Sequence, residues 1–327
     1  MTSKTILVIG ATGKQGNAVI NSLLTQTPTP QILALTRNLS SPSALKLVSN
    51  PHIRLVYGDI TSLSSASIFH QTGPVDAVFC ITVHGKKGFE EAQASNLIDA
   101  SITHRVSHFV FSSADRGGDF VSDYTPTDIP HIRSKYHIEQ TLMEKCANSP
   151  MTWTILRPVT FMENLTPNFE GKAFAKMWEQ VGSRPIQLVS VHDIGILASL
   201  ALLSPQQFAG RKIGIAGAAI NYEEGKRIFQ EVTGKEMPET FCVVGRLVKG
   251  VVDPDVGSMF RWFEKEGFKV DVVGARALVP GLRDFGAWLR EGSGFVGGQG
   301  RLWREEGALM EEGGGGGSID SRLWGWR

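Results

Sequence analysis

Three glycines spaced three residues apart carry the clearest chemical signal in this chain. Gly10, Gly13 and Gly16 follow the apolar run Ile6–Ile9 and open an amphipathic segment. Glycines so placed turn the chain tightly, let backbone approach a ligand and start a helix against a sheet. The N–H groups and partial positive charge at such a helix start favour a phosphate. The pattern predicts a dinucleotide pyrophosphate site, with an ordinary tight strand-to-helix turn as the alternative. The loop comprises Gly10, Ala11, Thr12, Gly13, Lys14, Gln15 and Gly16.

The residues after the second apolar run indicate which dinucleotide would bind. A protein that binds NAD usually places a carboxylate there, about 20 residues past the glycines, for the ribose hydroxyls. Here the run ends in Arg37 and Asn38, and no carboxylate precedes Asp59. A phosphorylated ribose requires positive charge, so we predict that Arg37 selects NADP, with Lys14 and Ser40 or Ser41 adding charge or hydrogen bonds. A solvated surface arginine is the alternative.

Two further strand ends are candidate walls of a cofactor site. Asp59 and Ile60 follow the third predicted strand, where the carboxylate would accept hydrogen bonds from an adenine amine or would cap the next helix. The fourth predicted strand ends in Cys80, Ile81 and Thr82. A nicotinamide ribose should pass this strand end. For the Cys80 thiol we expect buried packing.

The elements that must position these residues follow from hydrophobic patterning. Strand-length apolar runs alternate with helix-length amphipathic segments, as in a doubly wound α/β fold with a parallel sheet. The predicted strands are Thr5–Ile9, Gln31–Thr36, Ile53–Tyr57, Ala77–Thr82, His108–Ser112 and Thr152–Leu156. The predicted helices between them are Gly16–Leu24, Ser43–Val48, Leu63–Thr72, Phe89–Thr103 and Ser134–Ala147.

The alternation loosens after Pro158, which divides the chain into predicted regions. We expect a cofactor domain over 1–157 and a smaller helix-rich substrate or partner lobe over 158–290. Helices are predicted there at Ala173–Val181, His192–Leu203, Tyr222–Thr233 and Pro254–Glu266, with a strand at Lys212–Ala216. Region 291–327 contains a glycine run, Gly313–Gly317, and is predicted to be a tail without structure. An irregularity at the 3′ end of the coding sequence is the alternative.

Composition and patterning give no support to several other classes of protein. A formal net charge of +1 and the lack of a clustered basic stripe give no indication of nucleic-acid binding. The predominantly apolar run Ile194–Leu203 is about half of the roughly 20 residues that a membrane span needs. The first predicted strand leaves no room for a secretory signal. Three scattered cysteines suit a reducing compartment, so a cytoplasmic location is expected, with the nucleus as the alternative.

Other catalytic chemistries lack their residue patterns. No Gly-x-Ser-x-Gly or His-Glu-x-x-His sequence occurs. His104 and His108 straddle a helix-to-strand junction and should not face one ion, so no metal site is predicted. Asp193, at a helix start, is expected to cap that helix or to tether the lobes.

Taken together, several short segments resemble the NmrA-like family, an atypical branch of the short-chain dehydrogenase/reductases. The similarity runs from about Lys4 to about Arg290 and excludes the glycine-rich tail. The segments are Gly10–Gly16, Leu35–Asn38, Tyr57–Asp59, Ser134–Lys135, Ile155–Pro158, Phe161–Asn164 and Val191–Gly195.

The resemblance implies a Rossmann-type cofactor domain, a small carboxy-terminal lobe and a preference for NADP. It implies that Lys135 contacts the nicotinamide ribose. It also implies that a segment lines the nicotinamide end: Pro158, Val159, Thr160 and Phe161. The family includes redox-sensing regulators and reductases that tailor secondary metabolites, so the resemblance identifies the ligand better than the reaction.

The candidate proton donor for a reductase reaction differs from the residue that the superfamily uses. That pattern has a tyrosine four residues before the lysine, on the same helix face. Here His131 occupies that position, and Tyr136 points about 100° away around the helix. His131 is the predicted proton donor because imidazole titrates near neutral pH, with a solvent-exposed histidine as the alternative. Tyr124, in the loop 119–129, is a second candidate acid.

Ser112 and Ser113 complete the set of candidate residues. Lying at a strand end, they would hydrogen-bond a substrate carbonyl or only satisfy the strand. We therefore predict an NADP(H)-dependent oxidoreductase for a small carbonyl or enone compound. The alternative is a non-catalytic NADP(H) sensor that binds a protein partner; homo-oligomerisation is also open.

Overall fold

A seven-stranded parallel sheet is the frame of the chain within residues 3–61, 65–83, 85–238 and 254–296, which the computed structural model describes. The strands are β1 (Thr5–Val8), β2 (Gln31–Thr36), β3 (Ile53–Tyr57), β4 (Ala77–Cys80), β5 (His108–Ser112), β6 (Thr152–Pro158), β7 (Thr160–Phe161), β8 (Ile186–Val189), β9 (Arg211–Ile215) and β10 (Ala218–Ile220). The large sheet has the order β3-β2-β1-β4-β5-β6-β9, and a three-stranded sheet has the order β10-β8-β7.

Helices connect these strands. They are α1 (Lys14–Leu24), α2 (Pro42–Leu47), α3 (Ala66–Thr72), α4 (Phe89–Thr103), α5 (Asp119–Tyr124), α6 (Pro130–Ala147), α7 (Phe169–Gln180), α8 (Val191–Leu203), α9 (Pro205–Phe208), α10 (Tyr222–Thr233), α11 (Pro254–Lys265), α12 (Val272–Leu278) and α13 (Phe285–Glu291), with a 3₁₀ turn at Met162–Asn164. Among the described helices, none is both long and apolar enough to cross a membrane.

The order of the large sheet confirms the predicted fold class. Strands β3-β2-β1-β4-β5-β6 follow the Rossmann order, in which the direction of winding reverses between β1 and β4. Ile6, Leu7 and Val8 of β1 are fully buried, as continuous apolar runs in a parallel sheet covered on both faces should be. Ligands of such sheets bind beyond the carboxyl ends of the strands at the reversal.

Two predicted element boundaries are wrong near the candidate acid. The helix predicted from Ser134 begins at Pro130, because proline is favoured in the first turn, where its missing N–H leaves no bond unmade. The predicted loop 119–129 contains the short helix α5. The earlier start of α6 places His131 within a helix.

Contacts between residues divide the chain into two compact units. Within the described ranges, the first contains residues 3–158 and 191–215, and the second contains 159–190 and 216–296. Residues 191–215 lie in the range predicted for the smaller lobe but belong to the first unit, because β9 pairs with β6 and α8 packs on α1. Gly195 allows that helix contact, since a Cβ there would stand 2.5 Å from the carbonyl oxygen of Ala18.

The predicted tail is described only at its start. Glu291 ends α13, and the Phe295 ring contacts the Phe229 ring edge-on, with centroids 4.9 Å apart. Phe295 therefore packs against α10 in the second unit. Residues 297–327 and Cys242 lie outside the described part of the chain.

Candidate dinucleotide site

The glycine turn forms a close-packed cradle after β1. Gly10 has a φ of 69°, and its carbonyl accepts a 2.9 Å hydrogen bond from the Gly13 amide. A Cβ on Gly10 would stand 2.3 Å from Cδ1 of Ile81, and one on Gly16 would stand 2.2 Å from the Gly10 oxygen. Helix α1 has Gly13 at its N-cap, without a side-chain cap or an acidic residue in its first turn. This geometry fits an anion at the helix start.

The other residues of this loop divide by exposure. Ala11 and Gln15 are buried, whereas Thr12 and Lys14 are exposed. The Gln15 side chain accepts a 2.6 Å hydrogen bond from the Ser112 hydroxyl at the end of β5. The loop is thus fastened to the neighbouring part of the sheet.

Arg37 stands exposed at the end of β2, the strand beside β1. The register pairs Val8 with Ala34, so Gly10 and Arg37 lie at the same edge of the sheet. Asn38 shapes the turn: its carbonyl accepts the Thr36 and Ser41 hydroxyls, and its side chain accepts the Ser40 amide. Among the described residues, no hydrogen bond or ion pair engages the Arg37 guanidinium.

Asp59 and Ile60 follow β3 at the same edge. Oδ1 of Asp59 accepts a 2.9 Å hydrogen bond from the Thr61 amide, and Ile60 is buried. Helix α3 begins at Ala66 with Ser65 at its N-cap, so Asp59 is not the N-cap residue of α3.

The end of β4 lies across the reversal from the glycine turn. Ile81 packs on Gly10, and Thr82 is fully buried. Burial raises the pKa of the Cys80 thiol to about 12, although the positive charge of Lys135 acts in the opposite direction. Cys80 is therefore a packed, protonated thiol at neutral pH.

Lys135 is buried and bonded beside this strand end. Its Nζ donates to the Thr82 hydroxyl at 2.5 Å and lies 3.3 Å from Oε1 of Glu90. The ammonium also stands 5.6 Å from the centroid of the Phe111 ring. Helix α6 thus brings together Lys135 and Thr82, two of the predicted site residues, and Glu90, which was not predicted.

The candidate proton donors differ in environment. His131 lies in the first turn of α6, one helical turn before Lys135, and is 9% exposed, so the solvent-exposed alternative is wrong. Tyr124 is 69% exposed and contacts the ring of Phe120. Tyr136 is half-buried, with the Arg116 guanidinium over its ring.

Ser112, the last residue of β5, and Ser113, which follows it, both form hydrogen bonds within the protein. Ser112 donates to Gln15, and Ser113 donates to Glu139. These bonds agree with the alternative in which the hydroxyls satisfy the strand end.

A buried charge cluster behind α6 was also missed. Glu139 accepts hydrogen bonds from Arg116 at 2.7 Å and from Arg157 at 2.6 Å, and all three side chains are essentially unexposed. Glu139 raises the pKa of Arg157 although burial alone would lower it. Burial would raise the pKa of Asp123, but hydrogen bonds from Lys212 and Arg157 lower it.

The sequence did contain one indication of the buried position of Glu139. Lys135 and Glu139 are four residues apart, which places both on one face of α6.

The predicted nicotinamide-end segment divides between the units. Pro158 ends β6 in the first unit and accepts a hydrogen bond from the Asp115 amide. Val159 is buried at the start of the second unit, where Thr160 and Phe161 pair with Leu188 and Val189. Groups of three or more residues that suit a metal ion do not occur in the described ranges.

The fold and the glycine cradle define a Rossmann-type protein of the kind that binds dinucleotides. The NmrA-like family model matches residues 2–289, and the chain belongs to that family.

Comparisons with individual proteins agree with this assignment. An NmrA-like family domain-containing oxidoreductase, hkm9, from Aspergillus hancockii is 25% identical over 260 residues, covering 72% of this chain and 74% of the relative. The triphenylmethane reductase of Citrobacter sp., solved with NADP(H), has a TM-score of 0.69 at 17% identity and covers 88% of this chain and 98% of its own. The negative transcriptional regulator NmrA, solved with NADP, has a TM-score of 0.66 at 17% identity, with coverages of 94% and 99%.

Proposed function

We propose that this protein is an NADP(H)-dependent oxidoreductase that acts on a small carbonyl or enone compound. One structural relationship carries the proposal: Arg37 stands at the sheet edge that also bears the Gly10–Gly16 cradle. The cradle would hold the pyrophosphate on backbone amides, and Arg37 would pair with the ribose phosphate. The names of the relative hkm9 and of the Citrobacter reductase support oxidoreductase chemistry.

The remaining residues have distinct proposed roles. Lys135 and Thr82 would hold the nicotinamide ribose, while Asp59 and Ile60 would border the adenine. Ile81 and the buried Cys80 would form one wall of the cofactor site. The nicotinamide end would be lined by Pro158, Val159, Thr160 and Phe161. The bound cofactor supplies the hydride. His131 would donate the proton that the reduced carbonyl oxygen requires.

A cofactor-sensing regulator is the second candidate. Two observations favour it: His131 replaces the superfamily tyrosine, and the similar NmrA structure is that of a negative transcriptional regulator. Such a protein would bind NADP(H) and a protein partner without turnover. Homo-oligomerisation and a cytoplasmic location also stay predictions.

Turnover separates the two candidates. The purified protein would be incubated with NADPH and a panel of quinones, enones, aldehydes and ketones, and oxidation would be followed at 340 nm. We expect oxidation with at least one class, reduced about a hundredfold or more in His131→Ala. His137→Ala is the matched control, because His137 is exposed on the same helix. Tight NADPH binding without oxidation across the panel would instead support the sensor.

A further inference from the structure

Glu90 is a buried carboxylate beside the predicted nicotinamide ribose site. It lies in the first turn of α4, where the partial positive charge of the helix start favours an anion. Its side chain is 3% exposed, and Oε1 accepts a 3.2 Å hydrogen bond from Thr82 in addition to facing Lys135.

The loop between β4 and α4 holds this carboxylate in place. Gln93, one turn further along α4, accepts a hydrogen bond from the Val83 amide and donates one to the Val83 carbonyl. The start of the helix is thereby fixed to the segment that follows Thr82. The first turns of α4 are therefore hydrogen-bonded to Thr82 through Glu90 and to Val83 through Gln93.

The second carboxylate oxygen has an unused acceptor capacity. Oε2 of Glu90 is buried and has no hydrogen-bond partner among the described residues. Buried charged oxygens are normally hydrogen-bonded, because an unmade bond leaves the desolvation penalty unbalanced. A ligand hydroxyl or a water molecule would supply the missing donor.

We propose that Glu90 belongs to the cofactor site, where Oε2 accepts a hydrogen bond from a ribose hydroxyl while its charge balances Lys135. This inference rests on the proposed function, which places the nicotinamide ribose at Lys135. A ribose offers hydroxyls that both donate and accept, so the paired ammonium and carboxylate match it. The ion pair also leaves the local net charge near zero.

That balance has a consequence for redox selectivity. The nicotinamide ring is positively charged in NADP⁺ and neutral in NADPH. In Glu90→Gln the charge of Lys135 is uncompensated, so the oxidised cofactor is repelled and the reduced one is not. We expect the ratio of Kd(NADP⁺) to Kd(NADPH) to rise about fivefold, the order expected for one unit charge at a protein–solvent boundary.

Removal of the opposite charge, that of Lys135, distinguishes this role from a merely structural one. In Lys135→Met the carboxylate is uncompensated, and the same ratio should fall below the wild-type value. In the double variant Glu90→Gln/Lys135→Met both charges are absent, and the ratio should return toward wild type. Glu91→Gln is the matched control: Glu91 is the adjacent carboxylate of the same helix turn but is not a hydrogen-bond partner of Lys135 among the described residues.

Fluorescence titration with NADPH and calorimetric titration with NADP⁺ measure the two constants at one ionic strength. Adenosine 2′,5′-bisphosphate, which lacks the nicotinamide nucleoside, should bind wild type and Glu90→Gln equally, and this result also shows that the variant is folded. An unchanged redox ratio in Glu90→Gln, with bisphosphate binding intact, overturns the assignment of Glu90 and leaves the proposed function standing. A wild-type protein that binds neither the cofactors nor the bisphosphate would overturn both.

Discussion

The Ser112 hydroxyl donates a 2.6 Å hydrogen bond to Oε1 of Gln15, joining the end of β5 to the first turn of α1 across 97 positions of sequence. Both side chains are nearly inaccessible, at 3% and 4% exposure. The bond therefore fastens the glycine cradle to the centre of the sheet without solvent competition.

Removal of this hydroxyl should destabilise the protein. Ser112→Ala leaves the Gln15 oxygen buried without its donor, and we expect the free energy of unfolding to fall by about 1–3 kcal/mol. Ser107→Ala is the control, because Ser107 at the other end of β5 donates to the Asp76 carbonyl in an exposed position. Urea denaturation compares the two variants. Equal losses of unfolding free energy would show that the buried bond to Gln15 stabilises the protein no more than the exposed bond of Ser107.

Gly16 should tolerate no side chain. The Gly16→Ala methyl would meet the Gly10 oxygen at 2.2 Å, and a backbone atom cannot move aside as a flexible side chain can. We expect a loss of about 1–3 kcal/mol in unfolding free energy and at least about tenfold weaker NADPH binding.

Gly286→Ala is a matched substitution in another helix. A Cβ at Gly286 meets its neighbours at an ordinary 3.5 Å, and alanine is the better helix former. Its expected effect on unfolding is neutral or stabilising, by up to about 1 kcal/mol. Similar losses in both variants would mean that the close contact at Gly16 is not what excludes alanine there.

Arg37 should set the preference between the two dinucleotides. A charge-assisted hydrogen bond to the 2′-phosphate contributes about 1.5–3 kcal/mol, so Arg37→Ala should weaken NADPH binding by about ten- to a hundredfold and leave NADH nearly unchanged. Lys46→Ala removes an exposed positive charge from α2 and serves as the control. Equal affinity of the native protein for NADPH and NADH would contradict the role of Arg37.

Long regular elements were predictable because their periodicity is local. The bounds of β2, β3, β5, α4 and α10 are confirmed as predicted. The three-stranded sheet of the second unit was missed, and two of its strands, β7 and β10, contain only two and three residues. Such segments are too short to show an alternation of apolar and polar residues.

The residues of the candidate site were predictable from sequence where they form one contiguous segment, and the contacts between distant residues were not. The glycine turn is a contiguous pattern, whereas Glu90 and Thr82 meet Lys135 from 45 and 53 positions away. Glu90 shares the helical spacing of the buried residues Ala94 and Leu97, unlike its neighbour Glu91, but that spacing does not show which residue it meets. The contact of Glu90 with Lys135 depends on the packing of α4 against α6, which no local pattern in the sequence predicts.

His108 should make the stability of the protein fall in acid. Its ring is fully buried between Thr152 and Thr154, with Nδ1 2.8 Å from one hydroxyl and Nε2 3.0 Å from the other. Burial lowers the pKa of His108 to about 4, and the charge of Lys4 acts in the same direction.

The unfolded chain therefore takes up a proton near pH 6.5, whereas the folded protein does so only near pH 4. The stabilisation from this group is complete above pH 6.5. It is lost as the pH falls from 6.5 to 4, which lowers the free energy of unfolding by about 3 kcal/mol. His108→Gln cannot titrate, so its unfolding free energy should decline less steeply between pH 6.5 and 4, whatever its stability at pH 7. His137→Gln removes an exposed histidine and should retain the native slope. Urea midpoints at half-unit pH steps measure the slopes, and parallel curves for His108→Gln and the native protein would refute the assignment.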